Sequence, residues 1–201
     1  QIADVHSNGI KVSVVVGGGN IFRGVSGASF GMDPSSADYT GMMATVINSL
    51  ILQNSIEKKG IQTRVMSAIK MDTVCEPYIR RRAIRHVNKN RIVIFAAGTG
   101  NPFFTTDTAA ALRASEIKCD ILFKATKVNG IYDCDPKKNK KAKKFEKISY
   151  YDVIKNSLQI MDTSSISLCK DNKIPVLVFS ILEKDSLLKI IKGKGNFTII
   201  E

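Results

Sequence analysis

The sequence predicts an α/β fold: three layers, α/β/α, around a mostly parallel central sheet. Short continuous apolar runs alternate with amphipathic segments along the whole of the 201 residues. Strands of that kind are buried on both faces, which a parallel sheet with helices above and below provides. The chain also has neither an internal repeat nor a long linker, and its 44% apolar content is enough for one compact domain with a real core.

The elements can be justified in order. Ile2 to His6 has the character of a helix tail, and Ser7-Asn8-Gly9 is its stop, so something helical is expected ahead of Gln1. The first strand, Val12–Val16, runs straight into Gly17-Gly18-Gly19-Asn20, with Arg23 and Gly24 just beyond. A helix over about Gly41–Lys59 leads to a strand at Thr63–Met66, and a helix over Glu76–Asn88 leads to one at Arg91–Ala96. The pattern then gives a helix at Asp107–Glu116 and a strand at Ile121–Ala125. Asn129-Gly130 has the composition of a hairpin turn between two short strands. Helices at Tyr151–Asn156, Ser164–Asn172 and Lys184–Lys192 frame the last strands, Val176–Phe179 and Thr198–Ile200.

Composition excludes several classes of function. No apolar run approaches the roughly 18–20 residues that a membrane-spanning helix needs. The first six residues, Gln1 to His6, lack the basic start and apolar stretch of a signal peptide. Cys75, Cys119, Cys134 and Cys169 are scattered without a C-x-x-C pair, which fits reduced thiols in a cytoplasmic protein rather than a disulfide frame or a zinc site. The formal charge of +12 is concentrated in seven lysines between Lys137 and Lys147 and in Arg80-Arg81-Arg82 with Arg85. With no aromatic residue among them until Phe145, the lysines make a solvated loop near a polyanionic ligand rather than a nucleic-acid site. The arginines lie on a solvated helix face.

Two stretches carry chemistry. Three glycines after a buried strand let backbone N–H groups approach a phosphate, and Arg23 can add a bidentate clamp; a tight turn is the plainer alternative. The block Thr99-Gly100-Asn101-Pro102-Phe103-Phe104-Thr105-Thr106-Asp107 joins a strand to a helix, where open α/β sheets grip their ligands. Its hydroxyls, amide, two rings and carboxylate suit a small polar molecule with a flat ring.

Gly17-Gly18-Gly19-Asn20-Ile21-Phe22-Arg23-Gly24, the block Thr99–Asp107, and Lys124-Ala125-Thr126-Lys127-Val128-Asn129-Gly130-Ile131-Tyr132 with Asp135-Pro136 stand in one order along the chain. With Met66-Ser67-Ala68-Ile69 and Ile160-Met161-Asp162, they make the chain resemble the bacterial uridylate (UMP) kinases of the amino-acid kinase superfamily over almost its entire length. The resemblance implies transfer of the ATP γ-phosphoryl group to UMP, with Mg²⁺, in pyrimidine nucleotide biosynthesis. It implies lobes of about 1–118 for UMP and 119–201 for ATP. Gly18, Arg23, Asp38 and Thr99 through Thr106 would hold UMP, Asp38 at the ribose hydroxyls and Thr106 at the phosphate end. Gly19, Arg23, Thr126, Tyr132 and Asp135 would hold ATP. Arg23, Asp107 and Asp162 would serve at the reaction centre, the carboxylates orienting basic groups or metal-bound water; no residue is assigned as a direct metal ligand.

Plainer roles stand beside these. Asp38 and Asp107 are each suited to cap a helix, one of Phe103 and Phe104 to pack in a core, and Arg64 and Arg91 to be merely solvated. The resemblance makes Arg64 and Arg91 candidates for binding the effectors UTP and GTP in a hexameric, cytoplasmic enzyme. Gln53-Asn54 replace an Arg-Asp pair common in relatives, which counts against GTP activation. The face Met42-Met43-Val46-Leu50 suits either a helix-to-helix dimer contact or an intradomain core. Two other functions compete: a superfamily member that phosphorylates a carboxylate or carbamate, and a non-catalytic nucleotide sensor or basic nucleic-acid-binding protein.

The family opens on a strand with a Lys-Leu-Ser-Gly motif whose lysine touches the transferring phosphoryl group, and no such motif occurs in these residues. The N-terminal strand and helix are therefore expected to be missing from this chain. A protein that starts at Gln1 is expected to phosphorylate UMP very slowly. Comparing its kcat with that of a version carrying the restored N-terminal strand tests this, and equal values overturn it.

Overall fold

Five consecutive residues, Ile92 to Ala96, form a strand buried at every position. An apolar strand without in–out alternation has no solvent face, so it must lie inside a sheet with neighbours on both edges. The computed structural model describes residues 1–23, 31–134, 136, 138–139, 141–158 and 160–201; Gly24, Asp135, Lys137 and Lys140 lie outside them. The described elements are α1 (Ile2–Ser7), β1 (Ser13–Val15), α2 (Pro34–Glu57), β2 (Thr63–Ser67), β3 (Glu76–Pro77), α3 (Arg80–Asn88), β4 (Ile92–Ala96), α4 (Thr106–Glu116) and β5 (Leu122–Thr126). They continue with β6 (Ile131–Tyr132), β7 (Lys144–Phe145), β8 (Lys147–Ile148), α5 (Tyr150–Lys155), α6 (Thr163–Asp171), β9 (Val176–Ser180), α7 (Ser186–Ile191) and β10 (Phe197–Ile200).

The chain divides into two compact units, one of His6–Arg113 and one of Gln1–Val5 with Ala114–Glu201. In the first, four parallel strands run in the order β1-β4-β2-β3. Their register sets Ser13 beside Val93, Thr63 beside Ile92 and Met66 beside Glu76. Helix α2 lies against β2 and β4, and α3 against β4. In the second unit the order is β5-β9-β10-β8, with β5 parallel to β9 and β10 antiparallel to β9. Its core gathers Leu177, Phe179 and Ile190, with Phe123 edge-on to Phe179 at 6.1 Å. Burying each such side chain is worth about 1.5–3 kcal/mol.

All six predicted strands form within one residue of their expected bounds. The differences have local causes. The predicted helix Glu76–Asn88 begins at Arg80, because Pro77 holds Glu76 extended and the pair adds a short strand to β2. Asn129-Gly130 does not turn a hairpin. Strand β6 pairs instead with β7, across the intervening residues 133–143. Helix α2 starts earlier than predicted, at Pro34, with Asp33 accepting from the Ser36 N–H at 3.1 Å as its cap.

Cys75, Cys119, Cys134 and Cys169 are not joined in disulfides, which agrees with the expected reduced thiols. Burial pushes Cys119 up to about 11, with Asp120 adding, and burial alone does the same for Cys169, so neither offers a thiolate at neutral pH.

Tyr150 opens α5 behind its cap Ser149, and its hydroxyl donates to the Ile174 carbonyl at 2.5 Å. Burial, with Cys169 and Glu201 adding, pushes this phenol up to about 12. The unfolded phenol loses its proton near pH 10. The stabilisation from Tyr150 is therefore whole below about pH 10 and is lost as pH rises toward the folded value. Tyr150→Phe leaves the Ile174 carbonyl unpaired and is expected to cost about 1–3 kcal/mol at neutral pH. Urea unfolding of both proteins is expected to show that gap narrowing above about pH 10.

Candidate functional site

Helix α2 carries a row of small and polar residues, Asp38, Gly41, Thr45 and Asn48, spaced i, i+3, i+7, i+10. Such spacing puts all four on one face. The glycine loop after β1 rests on it. A Cβ on Gly18 would lie 2.6 Å from the Gly41 carbonyl oxygen and 2.8 Å from the Ala44 Cβ, so only glycine fits. The Asn48 amide donates to the Gly17 carbonyl at 2.8 Å and exchanges hydrogen bonds with Asn20. Ile21 and Phe22 N–H groups close on the Gly18 carbonyl, and Arg23 Nε donates to the Gly19 carbonyl at 3.1 Å. The guanidinium of Arg23 is thereby held beside the loop, still exposed.

The same helix face anchors the loop after β4. The Ala97 N–H donates to Thr45 Oγ1 at 2.8 Å, and Thr45 in turn donates to the Met42 carbonyl. The Phe103 N–H donates to Asp38 Oδ2 at 2.7 Å. Asp38 lies within the helix and Asp33 is the cap, which overturns the capping alternative for Asp38. Thr99 Oγ1 accepts from the Asn101 N–H, and Gly100 has φ +82° with the Ala68 backbone close by, so a Cβ there would be both strained and crowded. Pro102 follows in the same loop. Phe103 is 75% exposed and Phe104 56%, so neither ring packs in a core, contrary to the expectation for one of them. Phe103 adopts φ +69°, which turns its N–H to Asp38.

At the far end of that loop, Thr105 rather than Asp107 caps α4, its Oγ1 accepting from the Thr108 N–H at 3.1 Å. Asp107 sits in the first helical turn, where the helix dipole favours a carboxylate. A Cβ on Gly17 would be 3.7 Å from Thr106 Oγ1, so the glycine loop and the threonine end of the block are neighbours. Behind the loop, the buried Arg113 lies 3.9 Å over the Tyr78 ring and reaches the Gly98 carbonyl. The sequence alone did not single out Thr45, Asn48 or Arg113; the i, i+3, i+7, i+10 spacing of Asp38, Gly41, Thr45 and Asn48 is the signal that could have found the first two.

In the other unit, Thr126 ends β5 and its hydroxyl is turned to its own loop, donating to the Val128 carbonyl at 2.6 Å. Tyr132 donates to Asn129 Oδ1 at 2.6 Å, which ties β6 to the turn before it. Asp162 stands at the N-cap of α6, where its carbonyl accepts from Ser165 and Ile166. Asp135 lies outside the described residues.

Arg64 and Arg91 belong to a network rather than a bare solvated surface. Arg64 lies 3.8 Å from both Glu57 and Glu76. His86 bridges Glu76 at 3.1 Å and Arg91 at 3.0 Å, and Arg91 also donates to Gln62. The arginines of α3 are exposed, as expected. The face expected from Met42-Met43-Val46-Leu50 splits in two. Met42 and Val46 are buried, whereas Tyr39, Met43, Ile47 and Ile51, four residues apart, form the exposed apolar stripe. Among the described residues, no group of three or more His, Cys, Asp or Glu side chains is placed to hold a metal ion, and no helix is long and apolar enough to cross a membrane.

The model of the amino acid kinase family matches residues 1–180. The chain is 60% identical to the uridylate kinase of Rickettsia typhi (strain ATCC VR-144 / Wilmington) over 201 residues, all of this chain and 82% of that protein. Its fold superimposes on the crystal structure of UMP kinase from Ureaplasma parvum with a TM-score of 0.94 at 37% identity, covering 100% of this chain and 88% of the other. The UMP kinase structure from Bacillus anthracis gives the same TM-score at 40% identity, covering 99% and 82%. The predicted α/β class is therefore correct, and the chain belongs to the uridylate kinases of the amino acid kinase family.

Proposed function

We propose that this chain is a UMP kinase that transfers the γ-phosphoryl group of ATP to UMP, giving UDP for pyrimidine nucleotide synthesis. The observation that carries this is the convergence of Gly17–Gly19, Asp38 and Thr99–Thr106 on one face of α2, in a chain 60% identical to a uridylate kinase. Uracil is taken by the block Thr99–Thr106, whose two exposed rings give a base a flat surface to meet. Asp38 accepts from the ribose hydroxyls as it now accepts from the Phe103 N–H. Gly18, Arg23 and Thr106 hold the UMP phosphate.

Gly19 and Arg23 serve ATP from the same loop. In the other unit, Thr126, Tyr132 and Asp135 are assigned to ATP, so the His6–Arg113 unit is assigned to the acceptor and the other to the donor. Phosphoryl transfer needs alignment and charge neutralisation more than covalent chemistry. Backbone donors of the glycine loop and the always-charged Arg23 supply both. Mg²⁺ keeps most of its water and binds through one or two carboxylates plus nucleotide phosphates, so it needs no cluster of protein ligands. Asp107 and Asp162 would orient basic side chains or hold metal-bound water, and the ion would neutralise phosphate charge. We assign Arg64 and Arg91 to a site for UTP or GTP, and the stripe Tyr39, Met43, Ile47 and Ile51 to the helix contact of a cytoplasmic hexamer.

A substrate panel tests the activity. UMP is expected to be phosphorylated, and aspartate, glutamate derivatives and carbamate are not; turnover of one of those in place of UMP overturns the proposal. Asp38→Ala removes a charged acceptor worth about 1.5–3 kcal/mol, so kcat/KM for UMP is expected to fall about 10- to 100-fold. KM for ATP should stay nearly constant, as steady-state kinetics in both substrates will show.

A further inference from the structure

We propose that Asn48 is a positioning residue for phosphoryl transfer, acting through the glycine loop. The inference rests on the UMP kinase function proposed above. A primary amide has two hydrogens, and Asn48 commits both: one to the Gly17 carbonyl at 2.8 Å and one to Asn20 Oδ1 at 2.7 Å. Its own Oδ1 accepts from Asn20 Nδ2 at 3.2 Å.

The consequence comes from peptide geometry. In a trans peptide the carbonyl and the following N–H lie in one plane and point in opposite directions. Holding the Gly17 carbonyl toward α2 therefore turns the Gly18 N–H away from it. The Gly18 carbonyl is held by the Ile21 and Phe22 N–H groups, and the Gly19 carbonyl by Arg23. With all three carbonyls retained by protein donors, each following N–H, of Gly18, Gly19 and Asn20, points away from the donor that holds its carbonyl, and the Gly18 N–H, a group of the kind that binds anions, is turned off α2. Of the three anchors, only Asn48 comes from outside the loop, from a helix fixed against β2 and β4. Asn48 thus references the donors of the phosphate loop to the rigid scaffold.

Asn48→Asp tests this, because it keeps the shape of the side chain while replacing both donors by an anionic acceptor. In the full chain, kcat is expected to fall about 100-fold, the scale of an ångström-level misalignment of reacting groups. KM for UMP should move less than kcat, since Asp38 and Thr99–Thr105 still hold the nucleoside while only the phosphate contacts of the glycine loop are disturbed. Asn20→Ala, on the exposed loop, keeps the Gly17 contact and removes only the lateral partner, so a smaller loss of kcat is expected. Unchanged kcat in Asn48→Asp, or a loss that merely tracks the folded fraction seen by circular dichroism, overturns the proposal. If Asn48→Asp does not fold, wild-type kcat in Asn20→Ala overturns it. An unaltered protein that leaves UMP untouched is a different outcome, and overturns the function instead.

Discussion

The Gly18 backbone touches helix α2 where a methyl group would already collide with the Gly41 carbonyl. That close approach depends on Gly18 lacking a side chain, on Ala44 being small, and on the helix being held against β2 and β4. Among the described glycines of the His6–Arg113 unit, none has closer neighbours at its Cβ position. The loop lies low on the helix, and Asn48 can then reach the Gly17 carbonyl while Thr106 stands beside Gly17. A side chain on Gly18, or a larger one in place of Ala44, would lift the loop and uncouple it from the rest.

The same face of α2 resolves a second problem. The segment that follows β4 places Ala97 at φ +60° and Phe103 at φ +69°, conformations that cost a residue with a side chain about 1–3 kcal/mol each. Thr45 receives the Ala97 N–H, Asp38 receives the Phe103 N–H, and Arg113 reaches the Gly98 carbonyl between them. Hydrogen bonds to charged groups are worth about 1.5–3 kcal/mol, enough to offset the strain at Phe103. The loop is thereby shaped before any ligand arrives, with both phenyl rings left toward solvent. Preorganisation of this sort reduces the ordering cost of binding.

Much of this was legible in the residues. The strand Ile92–Ala96 announced itself as an unbroken apolar run, and the motifs Gly17–Arg23 and Thr99–Asp107 marked both loops by composition. Asp38 was legible as an acidic candidate, yet its engagement with Phe103, 65 positions away, has no local trace. The two phenylalanines misled, because apolar side chains in sequence give no sign of a backbone turned to positive φ. Pro77 misled in the other direction. A charged run that looks helical from Glu76 onward is cut by one residue that cannot donate a hydrogen bond and that keeps its predecessor extended.

The sequence by itself determined the alternation of elements, the six principal strands, the loops that carry glycine and threonine, and the family to which the chain belongs. These follow from periodicity and from residue types at short spacing, which are local properties. Tertiary structure alone decided that Asp38, Gly41, Thr45 and Asn48 act together, since a helix face becomes a site only when other backbone is laid across it. It also decided that Met43 and Ile47 face outward while Met42 and Val46 are buried. The helical period of 3.6 fixes which residues share a stripe, but only the packing of α2 on β2 and β4 selects the stripe that is covered.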